Sequence, residues 1–384
     1  MRDFAAGGHC LQKDAAQGRV VVVDLRNVEM ENVVNVNQIG RVGILTSGGD
    51  APGMNAAVRA VARAAFAKGL RVYGIHGGYR GLLEKRFEEF TSQSVASILY
   101  RGGTVLRTAR LPEFKDDAAL RQKCYDNLSE MKIDALVVLG GDGSFQGANL
   151  LSKEMQAAGS KMRVACLPCT IDNDLAYTDF SIGFDTVVDT CVQLLGNLRD
   201  TMASHDRISI VEVMGRDCGD IALYSGIAGG AEAIILPEIK KTDEEWVVYA
   251  IEKLKQARAR GKEYGMVIMA EGMHLQEGRD GTFTAAYLSS RINEYTCDDE
   301  GFVPFDSRAA VLAHVQRGGT PTAPDRLLAS KLGYYAVKIL LAGENLRCIG
   351  VKDGYAYDID ISQAVQMKRP LRLDMIDMAE ILSR

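Results

Sequence analysis

The sequence predicts an α/β protein made of two three-layer α/β/α domains, with mainly parallel sheets and a functional cleft between them. Three observations support this prediction. From Arg41 onward, short apolar runs alternate with longer stretches of helical periodicity. Most of these runs are continuously apolar, which is typical of strands covered by helices on both faces. The chain of 384 residues is long enough for two such domains, each with its own core.

The order of predicted strands and helices indicates βα units in parallel sheets. The predicted strands are Val42–Thr46, Ala135–Leu139, Val164–Leu167, Ile208–Val213, Ala233–Leu236, Met266–Ala270 and Ala309–Val315. The helical stretches between them include Met54–Lys68, Thr186–Thr201, Asp243–Arg260 and Asp325–Leu341. Residues 1–40 have weak periodicity, and we interpret them as an N-terminal extension of unknown role, with Met30 as an alternative start.

The composition argues against several classes of protein. The chain has 45 Lys+Arg against 50 Asp+Glu, a net charge of −5, which does not suit a general nucleic-acid binder. Apolar runs are too short for a membrane span, and Val20–Val23 is too short for a secretory signal, so we expect a soluble cytoplasmic protein. The eight cysteines have irregular spacings, and the single CxxC pair, Cys166 and Cys169, has no histidine nearby. Neither a disulfide framework nor a structural metal is indicated.

Three of the predicted strands end in loops that are candidates for ligand binding, since open α/β sheets bind ligands outside the carboxyl ends of strands. The first loop is Thr46–Gly53, with the sequence TSGGDAPG. Its paired glycines would let backbone N–H groups approach a phosphate at the N-terminus of the following helix. The alternative is an ordinary tight turn.

The second loop, GGDGS, places an acidic residue among glycines. Asp142 could hold Mg²⁺ while the amides of Gly143 and Ser144 contact a nucleotide. The alternative is a capping aspartate in a turn. Loops of this kind occur in more than one family of phosphoryl-transfer enzymes.

The third loop, Pro168–Asp174, carries two carboxylates. Either Asp172 or Asp174 could take a proton from a hydroxyl while the other helps to hold Mg²⁺ or to orient its neighbour. Alone, these residues could simply form an Asx-turn. Three such loops in one chain favour phosphoryl chemistry instead.

Several basic residues stand at further predicted strand ends. They are Arg110, Arg207, Arg216, Arg308, His314 and Arg317. Each could be a solvated surface residue, but in an acidic protein their position beside glycine loops favours the clamping of phosphates on two substrates. The residues alone therefore predict a magnesium-dependent phosphotransferase that acts on a phosphorylated small molecule.

Six motifs occur in one order: TSGGDAPGMNAAVR, RGGTVLRTAR, GGDGS, TIDND, SHDRISIVEVMGR and AHVQRGGTP. Together they resemble the ATP-type 6-phosphofructokinases of bacteria. The resemblance runs from about Arg41 to near the C-terminus and leaves residues 1–40 outside. It implies two Rossmann-like domains, a nucleotide-binding one of residues 41–183 with about 316–366, and a sugar-phosphate-binding one of residues 184–315 with about 367–384.

The resemblance implies a glycolytic enzyme that moves the γ-phosphoryl group of ATP to the 1-hydroxyl of fructose 6-phosphate, giving fructose 1,6-bisphosphate and ADP. Asp172 would be the general base, and Asp142 would bind Mg²⁺. The other catalytic residues would be Thr170, Asp174 and Arg216. ATP would contact Gly49, Arg110, Gly143, Ser144 and Gly147.

Fructose 6-phosphate would be bound by residues that follow strands of the second domain: Met214, Gly215, Arg216, Glu271, His314 and Arg317. Arg207 and Arg308 would reach its 6-phosphate from a neighbouring subunit, so the resemblance implies a homotetramer with shared active sites. It also implies an allosteric site between subunits that contains Arg59, Arg63, Arg199, Glu232, Arg260 and Lys262. The alternative is that these arginines only pair with carboxylates across a subunit interface. At Ser92 and Ser97 the regulated members have an arginine and an aspartate, so we expect ADP and phosphoenolpyruvate to act weakly or not at all.

Cys169 departs from the family pattern, which has glycine there in ATP-dependent members and lysine in pyrophosphate-dependent ones. Gly143 stands where the pyrophosphate type usually carries aspartate, so ATP is favoured. A pyrophosphate-dependent enzyme and a catalytically silent nucleotide or sugar-phosphate sensor are the alternatives, although a sensor should have lost Asp172 or Asp142. We also expect nearby positive charge to lower the pKa of Cys169 and make it reactive.

Overall fold

The computed structural model describes residues 9–13, 20–24, 39–275, 281–295 and 304–383. Residues 1–38 and residues 39–384 form separate units. In the first unit, β1 (His9–Lys13) and β2 (Val20–Asp24) pair in antiparallel fashion. Of the predicted extension of residues 1–40, residues 39 and 40 belong to the second unit, and the remaining residues other than β1 and β2, Met30 included, lie outside the described part of the chain.

The second unit alternates strands with helices, as the sequence predicts. Its strands are β3 (Arg41–Thr46), β4 (Arg71–Ile75), β5 (Phe87–Phe90), β6 (Ala135–Gly140), β7 (Arg163–Pro168), β8 (Ile208–Val213), β9 (Ala233–Ile235), β10 (Gly265–Ala270), β11 (Ser307–Val311), β12 (Arg347–Lys352) and β13 (Tyr355–Asp360). Its α-helices are α1 (Met54–Phe66), α2 (Gly78–Leu83), α3 (Ala118–Glu130), α4 (Asp142–Ala157), α5 (Phe184–Ala203), α6 (Asp220–Gly229), α7 (Asp243–Ala259), α8 (Ala285–Glu294), α9 (Ala323–Ala342), α10 (Ile361–Ala364) and α11 (Leu373–Leu382). Among the described helices, none is long and apolar enough to cross a membrane.

The larger sheet has seven strands in the order β13-β12-β7-β6-β3-β4-β5. Its five central strands are parallel, and the edge strands β5 and β13 pair antiparallel to their neighbours. From β3 the chain first proceeds to β4 on one side, and later returns to β6 on the other. The strand order therefore reverses between β3 and β6, which is where open α/β sheets bind their ligands.

The smaller sheet has four strands in the order β11-β8-β10-β9, all parallel. The central strand β10 is buried along its whole length. The edge strand β11 is half-exposed, with Arg308, Ala309 and Val311 facing solvent. The prediction of an α/β fold with two mainly parallel sheets is confirmed.

Helix α1 illustrates how small residues allow close packing around the larger sheet. Nine of its 13 residues are buried, five of them alanines. It packs against α9, where a Cβ atom added to Gly333 would lie only 2.7 Å from the Cβ of Ala60. The alanine-rich sequence therefore lets α1 lie close to both the sheet and the neighbouring helix.

The predicted strand Ala309–Val315 is wrong at both ends. Strand β11 covers Ser307–Val311, and residues 313–317 form a short 3₁₀ helix that starts with a left-handed residue, Ala313, at φ 45°. This turn brings the side chain of Gln316 inward, where its Oε1 accepts a hydrogen bond from the Met214 N–H at 3.0 Å. The other predicted strands and the four predicted helices agree with the structure to within two residues.

Candidate active site

A cleft of about 370 Å³ lies where the loops after β3, β6 and β7 meet. The predicted site residues that line it are Gly49, Arg110, Asp142, Gly143, Ser144, Thr170, Asp172, Asp174, Arg216 and Arg317. The three loops and three of the arginines singled out in the sequence, Arg110, Arg216 and Arg317, are therefore neighbours in space.

The loop after β3 has two glycines for two different reasons. Gly48 has a φ of 89°, a left-handed conformation that side chains disfavour. Gly49 leaves room for Arg317, because a Cβ atom there would lie 2.8 Å from the Nη1 of that arginine. The same Nη1 donates a hydrogen bond to the Asp50 carbonyl at 2.9 Å. The loop thus holds a guanidinium at the cleft.

The loop after β6 leads directly into α4, so Asp142 is the first residue of a helix rather than part of a free loop. Gln146, one turn later, donates a hydrogen bond to Asp142 Oδ2 at 2.5 Å, and Lys115 donates to Gln146 at 2.7 Å. Burial raises the pKa of Asp142, while Lys115 and Gln146 oppose that rise. The sequence predicts that the Ser144 N–H contacts a nucleotide. In the structure this N–H already donates a hydrogen bond to the Gly141 carbonyl at 3.0 Å.

The loop after β7 presents two buried carboxylates to the cleft. Asp172 is only 4% exposed, and its N–H donates to Thr170 Oγ1 at 3.2 Å. The Oδ1 atoms of both Asp172 and Asp174 are buried and have no hydrogen-bond partner. Acceptor atoms of this kind are costly to bury unless a substrate or ion satisfies them.

The two carboxylates have raised pKa values. Burial raises the pKa of Asp172, and the positive charges of Arg216 and Arg317 hold that rise back. Burial, together with the charge of Asp172, raises the pKa of Asp174 to about 6. A carboxyl whose pKa is about 6, as in Asp174, can exchange a proton near neutral pH, which suits general acid–base chemistry.

Arg216 enters the cleft from the smaller sheet, at the end of β8. Gly215, with a φ of 143°, and Arg216, with a φ of 52°, form a tight turn. The N–H groups of both residues donate to Glu271 Oε1, at 3.1 and 2.9 Å. This turn brings Arg216 Nε to 3.6 Å from Asp172 Oδ2. Glu271 therefore supports the arginine from behind.

Some predicted site residues lie apart from this cleft. Arg207 and Arg308 both form ion pairs with Asp306, beside the edge strand β11. His314 is exposed on the 3₁₀ helix that follows. Gly147 is buried, and a Cβ atom there would lie 3.1 Å from the ring of Phe114.

Sequence reasoning missed several residues that line the cleft, among them Tyr79, Phe114 and Lys115. Tyr79 and Phe114 stack with their ring centroids 4.1 Å apart, and Lys115 follows next in the chain. The Tyr79 hydroxyl donates to the Ser144 carbonyl at 2.7 Å. These residues come from segments that carry no recognisable motif, so only the structure reveals them.

The residues at the cleft fit a magnesium ion bound together with phosphates. Carboxylate oxygens are the ligands that Mg²⁺ prefers, and it commonly uses one or two of them with substrate phosphates. Asp142 and the unpaired oxygen of Asp174 supply such ligands. Within the described part of the chain, no group of three His, Cys, Asp or Glu residues could hold a metal alone.

A second pocket of about 390 Å³ contains three of the predicted effector residues, Arg199, Glu232 and Lys262. Lys262 Nζ lies 2.8 Å from Glu232 Oε1, so the two charges pair within the protein. The other three residues do not line it. Of these, Arg63 donates to the Ser92 carbonyl at 3.3 Å, and Arg260 donates to the Ser383 carbonyl at 2.9 Å.

The expectation of a reactive Cys169 is wrong. The side chain is 1% exposed, and burial raises the pKa of its thiol well above the ordinary value. The negative charge of Asp325 raises the pKa further. The sequence showed the arginines expected nearby but not the burial of the thiol, which dominates here.

A cleft that combines glycine loops, buried carboxylates and arginines from two sheets is the kind of site that transfers phosphoryl groups between small molecules. The family model described as "Phosphofructokinase" matches residues 41–340. The chain belongs to the phosphofructokinase family.

Similar curated proteins share this family. The chain is 48% identical over 344 residues to a protein of Clostridium botulinum (strain Alaska E43 / Type E3) named ATP-dependent 6-phosphofructokinase, covering 90% of this chain and 99% of that protein. It is 47% identical over 343 residues to a protein of the same name from Clostridioides difficile (strain 630), covering 89% and 99%.

Solved structures agree. A phosphofructokinase structure from Saccharomyces cerevisiae matches with a TM-score of 0.77 and 33% identity, covering 90% of this chain but 48% of that longer chain. A structure of a pyrophosphate-dependent phosphofructokinase from Marinobacter aquaeolei has a TM-score of 0.75 at 22% identity, with 88% and 86% coverage, and this likeness concerns the fold alone.

Proposed function

We propose that this protein transfers the γ-phosphoryl group of ATP to the 1-hydroxyl of fructose 6-phosphate, giving fructose 1,6-bisphosphate and ADP. The observation that carries the proposal is the cleft itself, where Asp172 from one sheet faces Arg216 from the other beside two glycine loops. The activity in the names of the relatives supports the same assignment.

Asp172 takes the proton from the sugar 1-hydroxyl, whose oxygen then attacks the γ-phosphorus as the bond to ADP breaks. A carboxylate is a sufficient base because phosphoryl transfer depends mainly on positioning and charge stabilisation. Thr170 orients the base by accepting the hydrogen bond of its N–H. Arg216 and Arg317 stabilise the negative charge of the transferred group and of the sugar phosphate.

The nucleotide occupies the side of the cleft formed by Gly49, Arg110, Gly143 and Ser144, with Tyr79 and Phe114 supporting its wall. Asp142 and Asp174, which both line the cleft, would hold the magnesium ion that accompanies ATP. The ion supplies charge neutralisation of the phosphate oxygens.

The sugar phosphate extends toward the smaller sheet, where Met214, Gly215 and Glu271 shape the turn that holds Arg216. His314 and Arg317 complete its contacts. Arg207 and Arg308 serve a neighbouring subunit in a homotetramer, which fits their half-exposed side chains at the edge of the sheet. Each active site then needs two copies of the chain.

The two sheets correspond to two domains, with the nucleotide bound by residues 41–183 and about 316–366, and the sugar phosphate by residues 184–315 and about 367–384. A glycolytic enzyme of this kind is expected in the cytoplasm. The pocket with Arg199, Glu232 and Lys262 is a candidate effector site, completed by Arg59 and Arg63 of a second subunit. Arg260, which precedes Lys262 by two positions in the chain, belongs to the same candidate site.

A single assay series tests the donor and the acceptor. Purified protein is given fructose 6-phosphate with ATP or with pyrophosphate, and ATP with competing sugar phosphates, and each product is measured. We expect fructose 1,6-bisphosphate and ADP with ATP, and little product with pyrophosphate. Product formed with pyrophosphate but not with ATP supports the pyrophosphate-dependent alternative. Tight binding of ATP and fructose 6-phosphate without product supports a silent sensor.

A further inference from the structure

A hydrogen-bond network, buried at Asp220 and Asn173 and partly buried at Arg369, connects the C-terminal segment of the chain to the loop that carries the proposed base. On the basis of the proposed function, we infer that Arg369 is a positioning residue for catalysis. Through Asp220 and Asn173 it holds the loop of residues 170–181 in the conformation that aims Asp172 at the substrate hydroxyl.

Every nitrogen of the Arg369 guanidinium is used in this network. Nε donates to Asp220 Oδ2 at 3.1 Å, and Nη1 donates to the carbonyls of Leu175 and Thr178 at 3.3 and 3.1 Å. Nη2 donates to the carbonyl of Asp179 at 3.2 Å. The planar fork of an arginine can reach four acceptors at once, whereas a lysine ammonium group is a compact point charge on a flexible stem. The loop is therefore fastened at three of its carbonyls.

Asp220 connects this fork to the centre of the loop. It is 6% exposed and is the first residue of α6, which follows β8 of the smaller sheet. Its Oδ2 also accepts a hydrogen bond from Asn173 Nδ2 at 2.9 Å. Because a buried carboxylate is costly without a cation nearby, removal of Arg369 would leave Asp220 uncompensated and loosen both contacts.

Asn173 lies between the two carboxylates of the cleft, Asp172 and Asp174. It is fully buried and has a left-handed backbone with a φ of 54°. Its Oδ1 accepts the N–H of Ser181 at 3.0 Å, and the Ser181 hydroxyl donates to the Thr170 carbonyl at 2.7 Å. A left-handed residue other than glycine persists only when its surroundings impose it. Here the surroundings include Asp220 and, through it, Arg369.

Arg369 does not line the cleft that contains Thr170 and Asp172. It lines a neighbouring cleft of about 600 Å³, which shares Lys115, Asp142, Gly143, Asp174 and Arg216 with the first. Loss of its contacts should therefore misplace the base without removing a substrate contact. A displacement of about 1 Å in a catalytic group can cost on the order of 100-fold in rate.

The test compares Arg369→Met, Arg369→Lys and Asp220→Asn with a matched control, Arg372→Met. Arg372 lies three residues further on, and it contacts the Tyr224 hydroxyl and Asp374 instead of the loop. We expect kcat of Arg369→Met to fall about 10- to 100-fold while KM for ATP and for fructose 6-phosphate stays within about threefold. Arg369→Lys should recover part of the lost kcat, and kcat of the Arg372→Met control should stay within about twofold of the value for the unmodified protein.

If Arg369 acts through Asp220, the double variant Arg369→Met/Asp220→Asn should be no slower than the slower single variant, because the two residues act in series. Multiplied losses in the double variant, unchanged kcat in Arg369→Met, or equal losses in the Arg372→Met control would each overturn the inference.

Hydrogen exchange of residues 170–181 in the full-length protein without substrate separates this inference from the proposed function. Faster exchange in Arg369→Met and Arg369→Lys, with the control unchanged, supports the role of Arg369 in holding this loop, even if the unmodified protein fails to phosphorylate fructose 6-phosphate. Unchanged exchange in both variants overturns the inference that Arg369 holds this loop, whatever the activity of the protein.

Discussion

Arg216 and Asp172 face each other across the cleft, with the arginine Nε 3.6 Å from the carboxylate Oδ2, although they follow strands of different sheets. The arginine side chain is 56% exposed and the aspartate side chain 5% exposed. The arginine can therefore move to meet an incoming phosphate, while the carboxylate is held by its loop. This pairing joins the two halves of the proposed active site.

Asp172→Asn is expected to keep the fold and to lower kcat by about 10²- to 10⁴-fold, because an amide cannot accept the proton of the sugar hydroxyl. Steady-state kinetics with ATP and fructose 6-phosphate measure this loss. The control is Asp126→Asn, which changes an exposed carboxylate on α3 and should leave kcat unaltered. Turnover of Asp172→Asn near that of the unmodified enzyme would remove Asp172 from the mechanism.

Arg216→Gln should move the acid limb of the kcat/KM profile to higher pH. The arginine charge holds down the pKa of Asp172, so its removal raises that pKa and keeps the base protonated at higher pH. Arg216→Lys retains the charge and should keep the limb closer to its original position. A pH profile of kcat/KM for all three proteins decides this, and an unmoved limb in Arg216→Gln would contradict the assignment of Asp172 as the titrating base.

Asp174→Asn should stabilise the protein at neutral and alkaline pH. Because the folded pKa of Asp174 is about 6, above its ordinary value, ionisation of this buried carboxyl destabilises the folded state as the pH rises from about 4 to 6. The difference of about two pKa units corresponds to at most about 3 kcal/mol above pH 6, and it should vanish below about pH 4. Thermal unfolding of both proteins across this range measures it. If Asp174→Asn is less stable than the unmodified protein at pH 8, the predicted stabilisation is wrong.

Local patterns in the sequence were sufficient to predict most of the strands and helices around the candidate site. The end of β3 was predicted at Thr46, and the end of β6 was predicted at Leu139, one residue early, because continuous apolar runs stop at glycine-rich loops. The end of β11 was not, because Val315 continues an apolar run but turns outward to 58% exposure in a 3₁₀ helix. That turn depends on the contact between Gln316 and Met214, which no local pattern contains.

The same distinction applies to the candidate site. Asp172 and Asp142 stand in recognisable loops, so the sequence indicated them. The burial of Cys169 and the network of Arg369 with Asp220 depend on segments that are distant in the chain, the latter separated by 149 positions. Their chemistry follows from the tertiary structure and was therefore beyond sequence reasoning.

Arg207 and Arg308 provide a test of shared active sites. If each serves a neighbouring subunit, Asp172→Asn and Arg207→Ser proteins are each inactive, yet mixed oligomers contain some sites with both residues intact. Unfolding and refolding the two proteins together should restore part of the activity, whereas separately refolded and then briefly mixed samples serve as the control. Absence of recovery in verified mixed oligomers would count against sharing.

The response to effectors is expected to be weak, because charges in the second pocket are already engaged. Lys262 pairs with Glu232, which is 5% exposed, and Arg199 donates to the Gly229 carbonyl. Ser92 cannot replace the charge of an arginine toward a phosphate, and a charge-assisted hydrogen bond is typically about 1.5–3 kcal/mol, or roughly tenfold or more in affinity. ADP and phosphoenolpyruvate should therefore change the fructose 6-phosphate saturation curve little at millimolar concentrations.

A variant that gains a response to effectors tests whether Ser92 and Ser97 are the cause of weak effector binding. Ser92→Arg combined with Ser97→Asp introduces the two residue types of the regulated relatives at exposed positions, where neither side chain disturbs a core. Since the added arginine supplies the missing phosphate contact, ADP should shift the half-saturation concentration of fructose 6-phosphate at lower effector concentration in this variant than in the unmodified protein. Saturation curves with and without each effector measure both effects. A large shift by micromolar ADP or phosphoenolpyruvate in the unmodified protein would show that Ser92 does not limit effector binding.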